Sequence, residues 1–157
     1  MLGTDRSGPS IADPNADRRL LERLIDQHVD LEFVARTIGD LRMTGGLPER
    51  AAAHERADDR WLPRITTLLD SLYHERYEAD PSSWARQAVL AITSQPPGAA
   101  RRRAYLERVR DVHRQSVALI DSLQPALQHA AVRETIERFR ADLQAELDTL
   151  SRRSDGR

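Results

Sequence analysis

The sequence contains no cysteine and no lysine. Without cysteine, disulfide bonds, thiolate catalysis and zinc–cysteine sites are excluded. All 24 basic residues are therefore arginines, so Schiff-base and lysine general-base chemistry are excluded as well. Because helix propensity hardly separates arginine from lysine, we favour a codon bias as the reason, over escape from lysine modification.

Long apolar runs are also missing. No window approaches the roughly 20 apolar residues of a membrane-spanning helix, and residues 1–15 lack the apolar segment of a signal peptide. We therefore expect no transmembrane segment and a cytoplasmic location, or export if a leader precedes this sequence. The net charge of -1 provides no field that would attract nucleic acid, so no nucleic-acid partner is expected.

The composition is that of one globular helical domain. Hydrophobic residues make up 39% and charged residues 31% of the 157 positions. Apolar residues recur at steps of three and four, and no stretch alternates as a strand would. The pattern predicts an all-α protein, an antiparallel four-helix bundle with one extra short helix in the middle connection. The predicted long helices cover about 17–43, 48–78, 99–123 and 130–152, and the short one covers 83–94.

Glycine and proline mark the boundaries of these segments. The run Thr44-Gly45-Gly46 ends the first helix, and Asp80 or Ser82 is available to cap the short helix. Pro63 falls inside the second helix and should kink it. We predict a flexible segment at 1–15, a single domain at 16–153 and a flexible tail at 154–157.

Ionisable residues interrupt the inward-facing apolar stripes. Because residues four apart share a helix face, pairs of them can point at one ion. Counting equally from the hairpin turns places Glu32 level with Asp58 or Asp59. The same count places His113 level with Asp142. The full set of candidate metal ligands is His28, Glu32, His54, Asp58, His113, Asp142 and Glu146.

Imidazole and carboxylate groups in a bundle core suit iron, manganese or zinc. An uncompensated charge there costs several kcal/mol, so a metal or a counter-charge is required. The alternative to a metal is compensation by arginine, or a position at the stripe margin in water. The arginines available for this are Arg36, Arg42, Arg110 and Arg140.

Known catalytic motifs are not found. The Glu-x-x-His pair of di-iron enzymes, His-Glu-x-x-His and a Gly-rich phosphate loop are all absent from the sequence. We therefore do not assign an enzymatic activity. The run Arg101-Arg102-Arg103 opens the third long helix, where the helix dipole disfavours cations. We interpret it as a solvated patch, with an acidic partner as the alternative.

The third and fourth long helices resemble a bacterial ferritin-like family, the domain-of-unknown-function family four-one-four-two. The matching residues are Ala104-Tyr105-Leu106, His113 and Val132-Arg133, and the resemblance extends over about residues 17–150. The last histidine of the family falls on Glu146, and its Asp-His pair falls on Asp58-Asp59. The resemblance implies a ferritin-like bundle that is non-enzymatic, with a stress- or envelope-related role.

A second resemblance is to hemerythrin-like cation-binding domains, which repeat one helix with a histidine and one with His-x-x-x-Glu. His28 stands for the first histidine, and the run from His54 to Pro63 is similar to the second motif. His113 stands for the third, and the run from Asp142 to Glu146 is similar to a degraded fourth. This resemblance implies the same bundle and nearly the same inner residues.

Three functions follow as hypotheses. The first is a ferritin-like bundle that binds iron, manganese or zinc. The second is a partner-binding or self-associating module, as a homodimer or with another protein, through the second helix and the short middle helix carrying Trp84, Val89 and Ile92. The third is a small-molecule or acid–base pocket formed by His113, Asp142 and Glu146.

Overall fold

The computed structural model describes residues 13–40 and 47–155, with side chains at 13–39 and 60–152. This part of the chain holds five α-helices and a 3₁₀ turn at Gln124–Ala126, and no strand. The all-α prediction is confirmed, including the short helix in the middle connection. The helices are α1 (Ala16–Asp40), α2 (Leu47–Tyr73), α3 (Ser83–Thr93), α4 (Ala99–Leu123) and α5 (Ala130–Asp155).

The helices pack through two apolar clusters. The first cluster joins the first half of α1, the second halves of α2 and α4, and the first half of α5. The second joins the remaining half of α1 with α3 and the first half of α4. α1 contacts α2, α3 and α4, while α5 contacts α2 and α4. Because opposite halves meet in the first cluster, each packed pair of long helices runs antiparallel.

The start of α5 is capped by a residue from the start of α1. Asp17 is only 1% exposed. Its carboxylate oxygens accept the backbone N–H groups of Gln128 at 2.8 Å and of His129 at 3.0 Å, just before α5 begins. A carboxylate at this position satisfies N–H groups that lack a helical partner and interacts favourably with the helix dipole. Asp17 therefore holds the two helix ends together.

The second helix ends earlier than the sequence pattern predicts. α2 stops at Tyr73 rather than at Glu78, and His74 takes the left-handed conformation with φ 52° that commonly follows a helix. The next residues bind α1 instead of extending α2. Arg18 pairs with Glu75 at 2.8 Å, and the Tyr77 hydroxyl donates to Asp26 at 2.7 Å. These long-range contacts compensate for the lost helical turn.

Both ends of α3 are held by side chains from other helices. Ser82 is the N-cap residue, as one of the two options anticipated, but its hydroxyl donates to Asp30 of α1 at 2.6 Å instead of capping α3. Arg101 donates to the carbonyls of Thr93 at 2.9 Å and Gln95 at 2.6 Å. The interpretation of Arg101 as a solvated residue is therefore wrong, because it binds the carboxyl end of α3, where a cation is favourable.

We expect Asp17→Ala to lower the free energy of unfolding by about 1–2 kcal/mol, because the backbone N–H groups of Gln128 and His129 lose their acceptor. Asp111→Ala is the matched control, since Asp111 is exposed on α4. Urea unfolding monitored by circular dichroism measures both variants. Equal unfolding midpoints for Asp17→Ala and Asp111→Ala would show that the cap contributes nothing.

A second prediction concerns Tyr77 at alkaline pH. Burial and then the hydrogen bond to Asp26 raise the pKa of Tyr77 to about 12, above the value of about 10 in an unfolded chain. A raised pKa in the folded state stabilises the protein below pH 10, and that stability is lost as the pH rises toward 12. Tyr77→Phe should cost about 1 kcal/mol at neutral pH.

The stability difference between the wild type and Tyr77→Phe should therefore shrink as the pH rises from about 10 to 12. Urea unfolding of both proteins across this range measures it, and the lack of lysine removes one competing titration. A difference that stays constant to the highest pH would contradict the raised pKa.

Candidate functional site

A layer of polar side chains separates the two apolar clusters. On α1 it follows Ile25 of the first cluster and precedes Leu31 of the second. On α4 it lies between Val112 of the second cluster and Leu119 of the first. We call this set the polar layer, and it consists of Gln27 and His28 from α1, His113 and Ser116 from α4, and Glu146 from α5.

The centre of the polar layer is a contact between α4 and α5. Nε2 of His113 lies 2.5 Å from Oε2 of Glu146. The imidazole is almost completely buried, with 1% of its side chain exposed, whereas 39% of the Glu146 side chain is exposed. The carboxylate thus reaches from a buried imidazole to the protein surface.

A second polar pair connects α1 with α4. The Ser116 hydroxyl donates to Oε1 of Gln27 at 2.6 Å. Ser116 stands one helical turn after His113, and Gln27 directly precedes His28. The hydrogen bond therefore fixes the level of α1 against α4 and brings both histidines into the same region of the fold.

His28 is buried, as the sequence predicts, and packs on aromatic residues of the first cluster. Its ring centroid lies 5.1 Å from that of Phe139 on α5. The ring of Phe139 in turn lies 5.3 Å from that of Trp61 on α2. Aromatic contacts at these distances orient the rings they join. They restrain the imidazole of His28 on the side of the polar layer that faces the first cluster.

Two of the candidate ligands bind other side chains. The indole N–H of Trp61 donates to Asp142 at 3.0 Å, and Arg60 approaches the same carboxylate at 4.0 Å. Glu32 forms an ion pair with Arg36, one turn along α1. Both carboxylates are partly exposed. The alternative of compensation by arginine is therefore confirmed for Glu32.

The other arginines offered for compensation have different partners. Arg140 makes two hydrogen bonds to Asp121, at 2.6 and 3.0 Å, and holds the pKa of that carboxyl below its usual value. Arg110 donates to the backbone carbonyl of Leu150 at 3.3 Å. Arg42 lies outside the described residues.

The prediction that His113 lies level with Asp142 is wrong by one helical turn. His113 meets Glu146, because α4 and α5 are joined by the 3₁₀ turn Gln124–Ala126 and by Leu127, Gln128 and His129, which delay the start of α5. The ion pair of Asp121 and Arg140 follows the same register. Counting the same number of residues along both helices from Leu127 does not include the delayed start of α5.

The remaining two candidates, His54 and Asp58, lie outside the described side chains. Among the side chains that are described, at 13–39 and 60–152, no three histidine, aspartate or glutamate groups gather as metal ligands would. The described part of the structure thus holds one hydrogen-bonded imidazole–carboxylate pair, His113 with Glu146. Metal binding by the full candidate set stays a prediction.

Sequence reasoning missed the partners Gln27 and Trp61. Gln27 lies just off the inward stripe, and only its position beside His28 marked it. Trp61 is buried on α2. A buried tryptophan needs an acceptor for its N–H, and this requirement was the available signal for a partner such as Asp142.

No protein-family model matches this chain, and the searches of curated proteins and of solved structures found no match. The resemblances to ferritin-like and hemerythrin-like domains accordingly remain predictions. Within the described ranges, none of the helices has the length and apolar character that a membrane span requires.

We predict non-additive effects at the pair of Ser116 and Gln27. Ser116→Ala should cost about 1 kcal/mol of unfolding free energy, because the amide of Gln27 loses its donor in a partly buried position. The double variant Ser116→Ala/Gln27→Leu should cost less than the sum of the single variants, because both polar partners are removed together. Urea unfolding of the wild type, Ser116→Ala, Gln27→Leu and the double variant gives the four free energies of a double-mutant cycle. Additive costs would show that the two side chains do not interact.

Proposed function

We propose that this chain is a four-helix bundle that binds one transition-metal ion in the polar layer. In this proposal α1, α2, α4 and α5 form the bundle, and α3 packs against α1 and α4 beside it. The observation that carries the proposal is the buried imidazole of His113 beside the carboxylate of Glu146, whose hydrogen bond a bound metal ion would replace.

The chemistry of these two groups fits a metal. Imidazole nitrogen and carboxylate oxygen are the ligands that iron, manganese and zinc take in helical bundles. Glu146 brings a negative charge to the surface side of His113, where it attracts a cation. Its partial exposure also provides the access path that an ion needs.

Further ligands are proposed from neighbouring helices. His28 enters the same layer from α1, next to the hydrogen bond of Gln27 with Ser116. On the sequence of α2, Asp58 and His54 stand about one and two turns before Trp61. Because Trp61 contacts α5 at Asp142, one turn before Glu146, the register of the two helices supports including Asp58 and His54 in the ligand set.

Glu32 and Asp142 are not part of this proposed set, because their described contacts are with Arg36 and Trp61 and not with a residue of the polar layer. The hydrogen bond from the indole of Trp61 to Asp142 also weakens the hypothesis of an acid–base pocket formed by His113, Asp142 and Glu146, because it directs Asp142 toward Trp61. The proposal agrees with the resemblance to ferritin-like proteins without depending on it.

Metal analysis tests the proposal. Protein purified without chelator should carry about one equivalent of iron, manganese or zinc, as expected of a preformed site. His113→Ala and Glu146→Gln should each lower the content below about a tenth of an equivalent, because each removes a ligand. Adding the metal to the stripped wild type should also raise its melting temperature, since the ion binds only the folded chain.

His74→Asn serves as the control. His74 is exposed and adopts a positive φ, which asparagine tolerates, so this variant removes an imidazole without disturbing the polar layer. It should keep the wild-type metal content. A wild type that stays below about a tenth of an equivalent after incubation with each of the three metals would overturn the proposal.

A further inference from the structure

A groove lies between α3 and α4, away from the polar layer. Its volume is about 270 Å³. Four of its eight lining residues are small, and the other four are long polar or charged side chains. One wall is formed by Ala91 of α3 with the two residues that follow that helix, and the other wall is formed by α4, including Arg103, Ala104, Glu107 and Arg108.

The charge around this groove is opposite to that of the whole chain. Residues 81–106 contain four arginines and no acidic residue, whereas the chain has a net charge of -1. One of these arginines, Arg101, binds the carboxyl end of α3. The charged residues that line the groove are Arg103, Arg108 and Glu107, so Glu107 is its only carboxylate.

Two arginines of the groove remain available for a ligand. Arg103 is exposed and Arg108 is partly exposed. Neither forms an ion pair with any residue whose side chain the structure describes, unlike Arg18, Arg36 and Arg140 elsewhere on the surface. Both stand on α4, five residues and therefore about 140° apart around the helix, on the two sides of the face that carries Ala104.

An apolar contact point lies next to these charges. Leu90 precedes the lining residue Ala91 and is 68% exposed. Among the described residues it is the one large apolar side chain classed as exposed.

We propose that this groove binds an acidic amphipathic helix of a partner protein. Apolar side chains of that helix contact Leu90 and the alanine-lined floor, and its carboxylates pair with Arg103 and Arg108. A groove between two helices accepts a third helix through an apolar stripe. The concave shape favours a protein segment over a flat lipid surface.

Peptide display tests the docking surface independently of any metal. A phage library of random peptides is selected on the full chain, and the enriched peptides are synthesised with a fluorescent label. We expect them to carry several Asp or Glu residues around apolar residues at helical spacing. Arg103→Glu/Arg108→Glu should weaken their binding at least about tenfold, because two attractive charge pairs become repulsive. Leu90→Ser should weaken it without affecting a buried group.

The matched control is Arg23→Glu/Arg152→Glu, which changes the net charge equally at exposed positions of α1 and α5. It should bind the peptides as the wild type does. The proposal is overturned if no peptide is enriched, or if the enriched peptides bind the Arg103→Glu/Arg108→Glu variant as tightly as the wild type. It is overturned equally if the chain binds vesicles containing phosphatidylserine and no acidic peptide. Circular dichroism of each variant verifies that the helices are intact.

Discussion

The buried carboxylate of Asp17 joins the first turn of α1 to the start of α5. These two elements are far apart in the sequence, and their position relative to each other determines which residues of α5 face α1 and α4. The contacts of Asp26 with Tyr77 and of Asp30 with Ser82 act in the same way along α1. Carboxylates on α1 therefore position both the connection after α2 and the helix that completes the polar layer.

The polar layer is the part of the fold that stability alone does not explain. A continuous apolar core would hold the same helices together, yet the two clusters are separated by polar side chains on three helices. Hydrogen bonds join four of these groups in pairs, Ser116 with Gln27 and His113 with Glu146. Such pairing fixes the relative levels of the helices, because an axial shift would leave polar groups buried without partners.

The two proposed sites differ in how they are constructed. The metal proposal depends on inward residues of several helices, so it requires the helices to be correctly aligned. The docking proposal depends on one face of α3 and α4, with Leu90 and Arg103 directed outward. Because they share no residue, one can fail while the other holds. A chain with both would combine a buried site and an external surface.

The sequence by itself determined the helices and most of the buried residues, because apolar periodicity acts locally and turn residues mark where it stops. His28 and His113 were correctly predicted to face inward on this basis. Tertiary structure alone decided the partners. Glu146 rather than Asp142 meets His113, Trp61 binds Asp142, and α2 ends at Tyr73 because the following residues bind α1. Those outcomes depend on the offset between helices, which the connections and contacts such as Asp17 with Gln128 determine, and no local pattern contains it.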